Sequence, residues 1–469
     1  MWREISGRET GQTRPSSFHN RVKSNRTASL QLSNHKDIVS PHRGSINSLQ
    51  VDLTEGRYLL SAASDASAAV FDIQRATDFQ GGGGGIIAKH RCLFSVDKHH
   101  ETGHKYAVSS AIWYPVDTGL FVTGSYDHYI KVWDTNSTQV VMNFKMPAKV
   151  YRTAMSPVAT SHMLIAAGTE DVQVRLCDIS SGAFAHTLSG HRVMFGVGDG
   201  GELMILVTAD GVMTVEWSTS NEWVLVTGGC DGAIRFWDIR RAGCYLVLDQ
   251  SKSQLGRRPP ILPRSVLNKC SSSKALSVGQ SVAPKSRVQQ KRNAAGNGIK
   301  QAPASRAPTK GPQKQRLHPG MLSIQDRATA HYGAVTGLKV TDDGMYLLSA
   351  GSDSRIRLWD CESGHNTLVN FETVRLQTSK PIQLATTDDS ILAFVPCMTA
   401  VKAFDIWSGK NLLTFRGHYE SVNCCWFSSK DQELYTGGND RQILVWSPSR
   451  LISDEMDTGP TGDRDNWSD

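Results

Sequence analysis

The chain lacks any apolar run long enough to cross a bilayer; Leu203 to Ala209 is only a short stretch. Its opening residues, MWREISGRETGQTRPSSFHNRVK, hold no apolar core of the signal-peptide kind, so neither secretion nor a membrane partner is expected. The nine cysteines are odd in number, scattered, and contain no C-x-x-C. That argues against a disulfide framework and leaves reduced, mostly buried thiols of an intracellular protein. The adjacent Cys424 and Cys425 cannot bridge each other in ordinary geometry. One tract lacks acidic residues altogether: Ser251 to Arg316 holds 15 Lys or Arg and no Asp or Glu. The net charge of +7 belongs to this segment, and the rest of the chain is mildly acidic.

What the chain does have is a repeat. Gly417–Trp446 (GHYESVNCCWFSSKDQELYTGGNDRQILVW) aligns with Ala330–Trp359, Gly103–Trp133 and Pro41–Phe71. His42, His104, His331 and His418 each stand four residues before Ile46, Val108, Val335 and Val422. They stand 22 or 23 residues before Asp65, Asp127, Asp353 and Asp440, and each Asp follows Ser61, Thr123, Ser349 or Thr436 by four. Three of the copies place a Trp six residues after the Asp: Trp133, Trp359 and Trp446. A loop His, a strand Ser/Thr, a turn Asp and a strand Trp at this spacing can form one buried hydrogen-bond chain, which would fix a four-stranded unit.

The pattern resembles the WD repeat, whose units are blades of a β-propeller. Weaker copies around Asp171 and Cys177, around Phe404, and the copy ending at Trp237 bring the total to seven blades. The expected fold is therefore all-β: a seven-bladed propeller with a short N-terminal helical segment and disordered insertions. A leading strand, Thr27–Ser33, is expected to pair with the last blade and close the ring. The repeat histidines are read as structural. HHETGH (His99–His104) is not read as a metal site, and no cofactor or catalytic residue is identified.

The fourth blade departs from the spacing. His191 lies 21 residues before Val212 and 40 before Asp231; removing residues 193–209 restores 4 and 23, and completes His191, Thr227, Asp231 and Trp237. Residues 193–209 therefore read as an insertion, and the G-x-G-x-x-G at Gly196–Gly201 inside it lacks the strand-to-helix setting of a dinucleotide loop. The separation also raises the expectation that the tetrad of this blade is at risk. Gly81–Gly85 has no phosphate-loop Lys-Ser/Thr and reads as a flexible connection between the third and fourth strands of blade 1.

Domain limits follow from composition: an N-terminal segment 1–26, blades 1–4 over 27–250, a disordered basic linker 251–325, blades 5–7 over 326–447 and an acidic tail 448–469. KSRVQQKR (Lys285–Arg292) resembles a nuclear import signal, and a nuclear location is expected. The linker would meet nucleic acid only weakly, having no interleaved aromatics to stack bases.

Only the fourth blade ends its third strand in W-D-x-R: Trp237, Asp238 and Arg240 within FWDIRR. This matches the box of receptors that dock to the adaptor of cullin-4 ubiquitin ligases. Together with YPVDTGLFVTGSYDHYIKVWDTN, HNTLVNFETV and MWREISGRETG, it resembles the Cockayne syndrome A family. That resemblance implies a non-catalytic substrate receptor acting in transcription-coupled nucleotide excision repair. Its implied partners are the damaged-DNA-binding adaptor, a cullin-4 RING ligase, stalled RNA polymerase II and the Cockayne syndrome B ATPase. It also implies that Trp237, Asp238 and Arg240 dock the adaptor, and that short N-terminal helices with Trp2 and Ile5 as apolar anchors enter an adaptor groove. Pro15 is expected to keep those helices short. The other reading is a chromatin or nucleic-acid scaffold working through the basic linker.

Overall fold

The computed structural model describes residues 2–82, 85–192, 211–241, 243–250, 329–376 and 380–449. The insertion 193–209 with its glycine motif, the linker 251–325 with Lys285–Arg292, and the tail beyond Ser449 lie outside the described residues.

Two helices, α1 (Trp2–Glu9) and α2 (Pro15–Ala28), precede two short strands, β1 (Leu30–Leu32) and β2 (Lys36–Val39). Blade 1 is β3 (Ile46–Val51), β4 (Tyr58–Ala63), β5 (Ala68–Asp72) and β7 (Gly85–Val96), with β6 (Asp78–Gly82) laid against β7. Blade 2 is β8 (Val108–Trp113), β9 (Leu120–Ser125), β10 (Tyr129–Asp134) and β11 (Val140–Lys145). Blade 3 is β12 (Val150–Met155), β13 (Leu164–Thr169), β14 (Gln173–Asp178) and β15 (Ala183–Ser189). Blade 4 is β16 (Val212–Trp217), β17 (Val224–Gly229), β18 (Ile234–Asp238) and β19 (Cys244–Val247). Blade 5 contributes β20 (Val335–Val340), β21 (Tyr346–Gly351) and β22 (Arg355–Asp360), with a single bridge at Asn366 in place of an outer strand. Blade 6 is β23 (Ala385–Thr386), β24 (Leu392–Cys397), β25 (Ala400–Asp405) and β26 (Asn411–Arg416). Blade 7 contributes β27 (Val422–Ser428), β28 (Glu433–Gly438) and β29 (Ile443–Pro448).

Each blade packs against a neighbour on both sheet faces, so its inner strands are buried throughout rather than alternating, as in β8 and β13. Outer strands meet solvent on one side and alternate, as in β11 and β26. Seven large apolar clusters occupy the seven blade-to-blade boundaries. The last of these joins Ile46, Leu49 and Phe71 of blade 1 to Cys424, Tyr435 and Val445 of blade 7, so the ring is closed.

The N-terminal chain supplies the outer edge of blade 7. β1 runs antiparallel to β29, with Leu32 opposite Trp446. β2 pairs with β29 at Ile38 and Ile443, and runs parallel to β7 over Ala88–Arg91 of blade 1. Lys36 anchors it: its ammonium donates to Glu433 Oε2 (2.7 Å) and Tyr435 Oη (3.0 Å), while the Tyr435 and Ser447 hydroxyls donate to the Glu433 carboxylate at 2.7 and 2.9 Å. Burial opposes ionisation of Glu433, but the Lys36 charge and these donors hold its carboxyl below the usual range.

Three local expectations are corrected. The strand expected over Thr27–Ser33 shrinks to Leu30–Leu32, because α2 continues to Ala28 and Thr27 donates its hydroxyl to Lys23 O (2.9 Å). Pro15 does not shorten the helices; it starts one of 14 residues, since its missing N–H and fixed φ suit the first helical turn. Of the glycine run, Gly81 and Gly82 belong to β6 and Gly85 to β7 rather than to a loose connection, with Gly81 opposite Ile86 and Gly82 opposite Gly85; Gly83 and Gly84 lie outside the described residues.

The repeat residues meet as tetrads. In blade 2, His104 Nδ1 lies 2.8 Å from Asp127 Oδ2, His104 Nε2 lies 2.7 Å from Thr123 Oγ1, and the Trp133 indole N–H donates to the same hydroxyl at 2.8 Å. The same chain links His331, Asp353, Ser349 and Trp359 in blade 5, and His418, Asp440, Thr436 and Trp446 in blade 7. Blade 4 completes it across the insertion: His191 Nδ1 lies 3.0 Å from Asp231, its Nε2 lies 2.8 Å from Thr227, and Trp237 donates to Thr227 at 2.9 Å. The question raised by the insertion is thus answered for this tetrad, which is complete. Blade 1 is a variant. Its His42 meets Ser61 and Ser67 at 2.6 Å each, Ser67 relays to Asp65, and Phe71 has no N–H to give.

Burial disfavours the charged imidazole, lowering His42 to about 4 and pushing His104 and His331 down. Burial also opposes ionisation of Asp127, Asp353 and Asp440, but the facing histidines outweigh it and hold these carboxyls below their usual range.

Two outcomes are expected. In Thr123→Val two buried side-chain groups, on His104 and Trp133, lose their partner; in Ser61→Ala one does, on His42, together with a longer contact to Ala69 O. Thr123→Val should therefore cost about 1–3 kcal/mol more than Ser61→Ala in chemical denaturation. The depressed imidazoles are also protonated more readily in the unfolded chain. Their contribution is intact above the unfolded His value and is lost as pH falls through about 4 for His42. The denaturation midpoint should thus drop on acidification from pH 7 to 4, with His42 accounting for about 3 kcal/mol.

Candidate partner-binding site

Antiparallel order gives the ring two distinct ends. Taking the strands of a blade from the channel outward as A to D, the A–B and C–D loops leave one face, and the B–C loops and blade-to-blade connections leave the other. The W-D-x-R box begins with Trp237 and Asp238 at the end of β18 and places Arg240 in the C–D loop of blade 4, before β19. It belongs to the A–B/C–D face.

Trp237 is fully buried and its N–H is spent on Thr227, so it presents no surface to a partner. Its part is to hold the end of β18. Asp238 forks onto Arg240: Nε donates to Oδ1 at 2.9 Å, Nη2 to Oδ2 at 2.8 Å, and the Arg240 backbone N–H to Oδ1 at 3.1 Å. These bonds hold the Asp238 carboxyl low and raise Arg240. The guanidinium stacks over the Trp223 ring at 5.4 Å, yet its side chain remains 51% exposed. A flat, fixed cation with free edges suits carbonyl or carboxylate acceptors on another protein.

Two residues around Arg240 escape a motif reading. Trp223 stands just before β17, where the other blades carry Arg57, Gly119, Met163, Met345, Ile391 or Gln432. A single Trp at that position is the signal that would have found it. His162 from blade 3 stacks between Trp217 and Trp223, at 5.2 Å from each, and its Nε2 lies 2.8 Å from Glu222 O. The Glu222 carboxylate accepts from Thr160 N at 2.9 Å, tying blade 3 to blade 4 beneath the guanidinium.

The N-terminal helices reach the same face. Arg26 donates to Asp431 O at 3.0 Å and Lys23 pairs with Asp388, both acceptors lying in A–B loops of blades 7 and 6. Arg8 of α1 lies over the Phe18 ring of α2 at 5.4 Å, folding the two helices onto each other. Ile5 is half-buried on α1, and Trp2 opens that helix. The helices are held on blades 6 and 7, while the box lies on blade 4.

Elsewhere the chemistry is structural. Among the described residues no group of three His, Cys, Asp or Glu is placed to hold a metal ion. Within HHETGH, His104 is the tetrad residue and His100 stands edge-on to Trp133 at 5.8 Å. Burial pushes the Cys177, Cys361 and Cys424 thiols up to about 12, away from nucleophilic use. The channel holds a cavity of about 210 Å³ lined by Arg152, Glu216, Lys339 and Asp342, with Lys339 donating to Glu216 at 2.8 Å.

The family model described as WD domain, G-beta repeat matches residues 94–134, 201–238, 324–360 and 409–447. These are the blades whose third strands carry a tetrad Trp. Three relatives are similar in sequence. WD repeat-containing protein ATCSA-1 of Arabidopsis thaliana is 66% identical over 472 residues, covering 100% of both chains. Radiation-sensitive protein 28 of Saccharomyces cerevisiae is 27% identical over 152 residues, 32% of this chain and 28% of its own. Nuclear distribution protein nudF of Aspergillus niger is 24% identical over 292 residues, 57% of this chain and 62% of its own. With its tetrads assembled blade by blade and a relative matched from end to end, the chain belongs to the WD-repeat protein family.

Proposed function

We propose that this chain is a non-catalytic substrate receptor of a cullin-4 RING ubiquitin ligase, acting in the nucleus in transcription-coupled nucleotide excision repair. The observation that carries the reading is the Arg240 guanidinium. It is half-exposed, forked by Asp238 and stacked on Trp223, on the ring face that also carries the N-terminal helices. An adaptor reaching both would contact blade 4 through Arg240 and enter between helices anchored on blades 6 and 7, with Trp2 and Ile5 as the apolar contacts.

Full-length identity with ATCSA-1 supports the same reading, since that name carries the abbreviation of the Cockayne syndrome A family. The name of radiation-sensitive protein 28 agrees with a DNA-damage setting. The opposite face would then be free for the ligase substrate. Stalled RNA polymerase II and the Cockayne syndrome B ATPase are the partners to try there.

Arg240→Ala is expected to weaken binding to the damaged-DNA-binding adaptor by roughly tenfold or more, with the ring still folded in thermal unfolding because Trp237 keeps its bond to Thr227. Ile5→Asp should weaken it independently. Full-affinity binding by both variants in a titration with purified adaptor would remove this face from docking and defeat the proposal.

A further inference from the structure

The face opposite Arg240 carries a basin of about 850 Å³ where the B–C loops of blades 1 and 2 meet the connections leading into blades 2 and 3. Four ammonium groups surround it: Lys98, Lys105, Lys145 and Lys149. Lys149 pairs with Glu170 at 3.1 Å. Lys98, Lys105 and Lys145 are exposed and pair with no carboxylate of another described residue.

The two carboxylates in the basin form no ion pair with them. Asp127 is committed to the blade 2 tetrad through His104, and also accepts the Lys105 and Tyr129 backbone N–H groups at 3.2 and 3.0 Å. Asp65 accepts the Arg43 and Ser67 backbone N–H groups at 2.6 and 3.1 Å. Both carboxylates keep their charge but are held on the blade side, and the three free lysines outnumber them toward solvent.

The remaining lining is Ser64, His128, two alanines and three tyrosines. Ala66 is buried at the floor, and the Tyr106 ring stands 66% exposed at the rim. A strand of nucleic acid would need a track of cations and several open rings. Here the cations ring one basin, and the other tyrosines are engaged: Tyr126 against Tyr151 edge-on at 6.0 Å, Tyr129 beneath the Lys131 ammonium at 5.9 Å. One open ring among three free ammonium groups fits a short peptide that carries several carboxylates around one apolar side chain.

We infer that this basin is a second interaction site, which takes an acidic peptide segment of a partner protein. The inference stands without the adaptor reading, because it uses the other face of the ring.

The test uses the full chain and a labelled peptide of eight Asp and Glu residues around a central Leu, followed by fluorescence anisotropy. The Lys105→Glu/Lys145→Glu double variant should bind it at least roughly tenfold more weakly, and Tyr106→Ala should also lose affinity. Both should keep the parent unfolding midpoint and the parent affinity for the adaptor, so failure here is separable from failure of the docking proposal. Raising salt should weaken the parent and leave little further loss in the double variant. Unchanged peptide binding by the double variant would assign the peptide to another basic stretch, such as 251–316, and overturn the inference. Tighter binding of oligo-dT than of the peptide, abolished by the same two charge reversals, would overturn it in favour of nucleic acid. A tenfold gain in peptide affinity on removing residues 450–469 would overturn it in favour of the chain's own tail.

Discussion

No blade of this protein can stand alone, because both of its faces are apolar. A sheet buried on one side needs one neighbour; a blade whose inner strands are buried on both sides needs two, and seven such units have no solution but a closed ring. Closure falls to β1 and β2, which leave the N-terminus to cover the open edge of β29. Everything else in the fold depends on that seam. Its chemistry is correspondingly strong: an apolar side chain, Ile38, is sealed between blades, and a buried ammonium–carboxylate pair is fully supplied with hydrogen bonds.

Closure is also what separates the two ends of the ring. With strand direction locked in every blade, a residue's place within the repeat decides the face to which its loop belongs. Arg240 follows a third strand and shares a face with the helices held at Asp388 and Asp431. Lys105 precedes a first strand and shares the other with Lys145. The tetrads link the two levels. Each ties a blade-to-blade loop to a B–C turn, so the hydrogen bonds that stabilise a blade also shape the surface around the basin.

The architecture was legible because three tetrads, and the His42, Ser61 and Asp65 of blade 1, repeat with offsets that vary by at most one residue. Spacing could even locate the insertion, since His191 still had to reach Thr227 and Asp231. It could not reveal that Ser67 stands between His42 and Asp65, because the intervals in blade 1 are the same as elsewhere and the relay depends on side-chain position. Nor could it find β2, whose four residues have no hydrophobic period and gain their partners from blades 7 and 1 at once. Pro15 misled because proline ends one helix and begins another by the same lack of an N–H. At the candidate site, Asp238 and Arg240 were visible as a motif. Trp223 and His162, which support the guanidinium from a different loop and a different blade, were not.

The seam has a further consequence for how the protein is made. Lys36 and its acceptor Glu433 are 397 residues apart, so a ribosome exposes the closing strand long before its partner exists. At ordinary elongation rates the wait is roughly 20 to 80 s. Throughout that time the nascent chain carries unpaired strand edges and half-covered blade faces, the surfaces that chaperones bind and that aggregate when left alone. A message cut short anywhere before β29 therefore yields no smaller working propeller, only an open ring for quality control to remove.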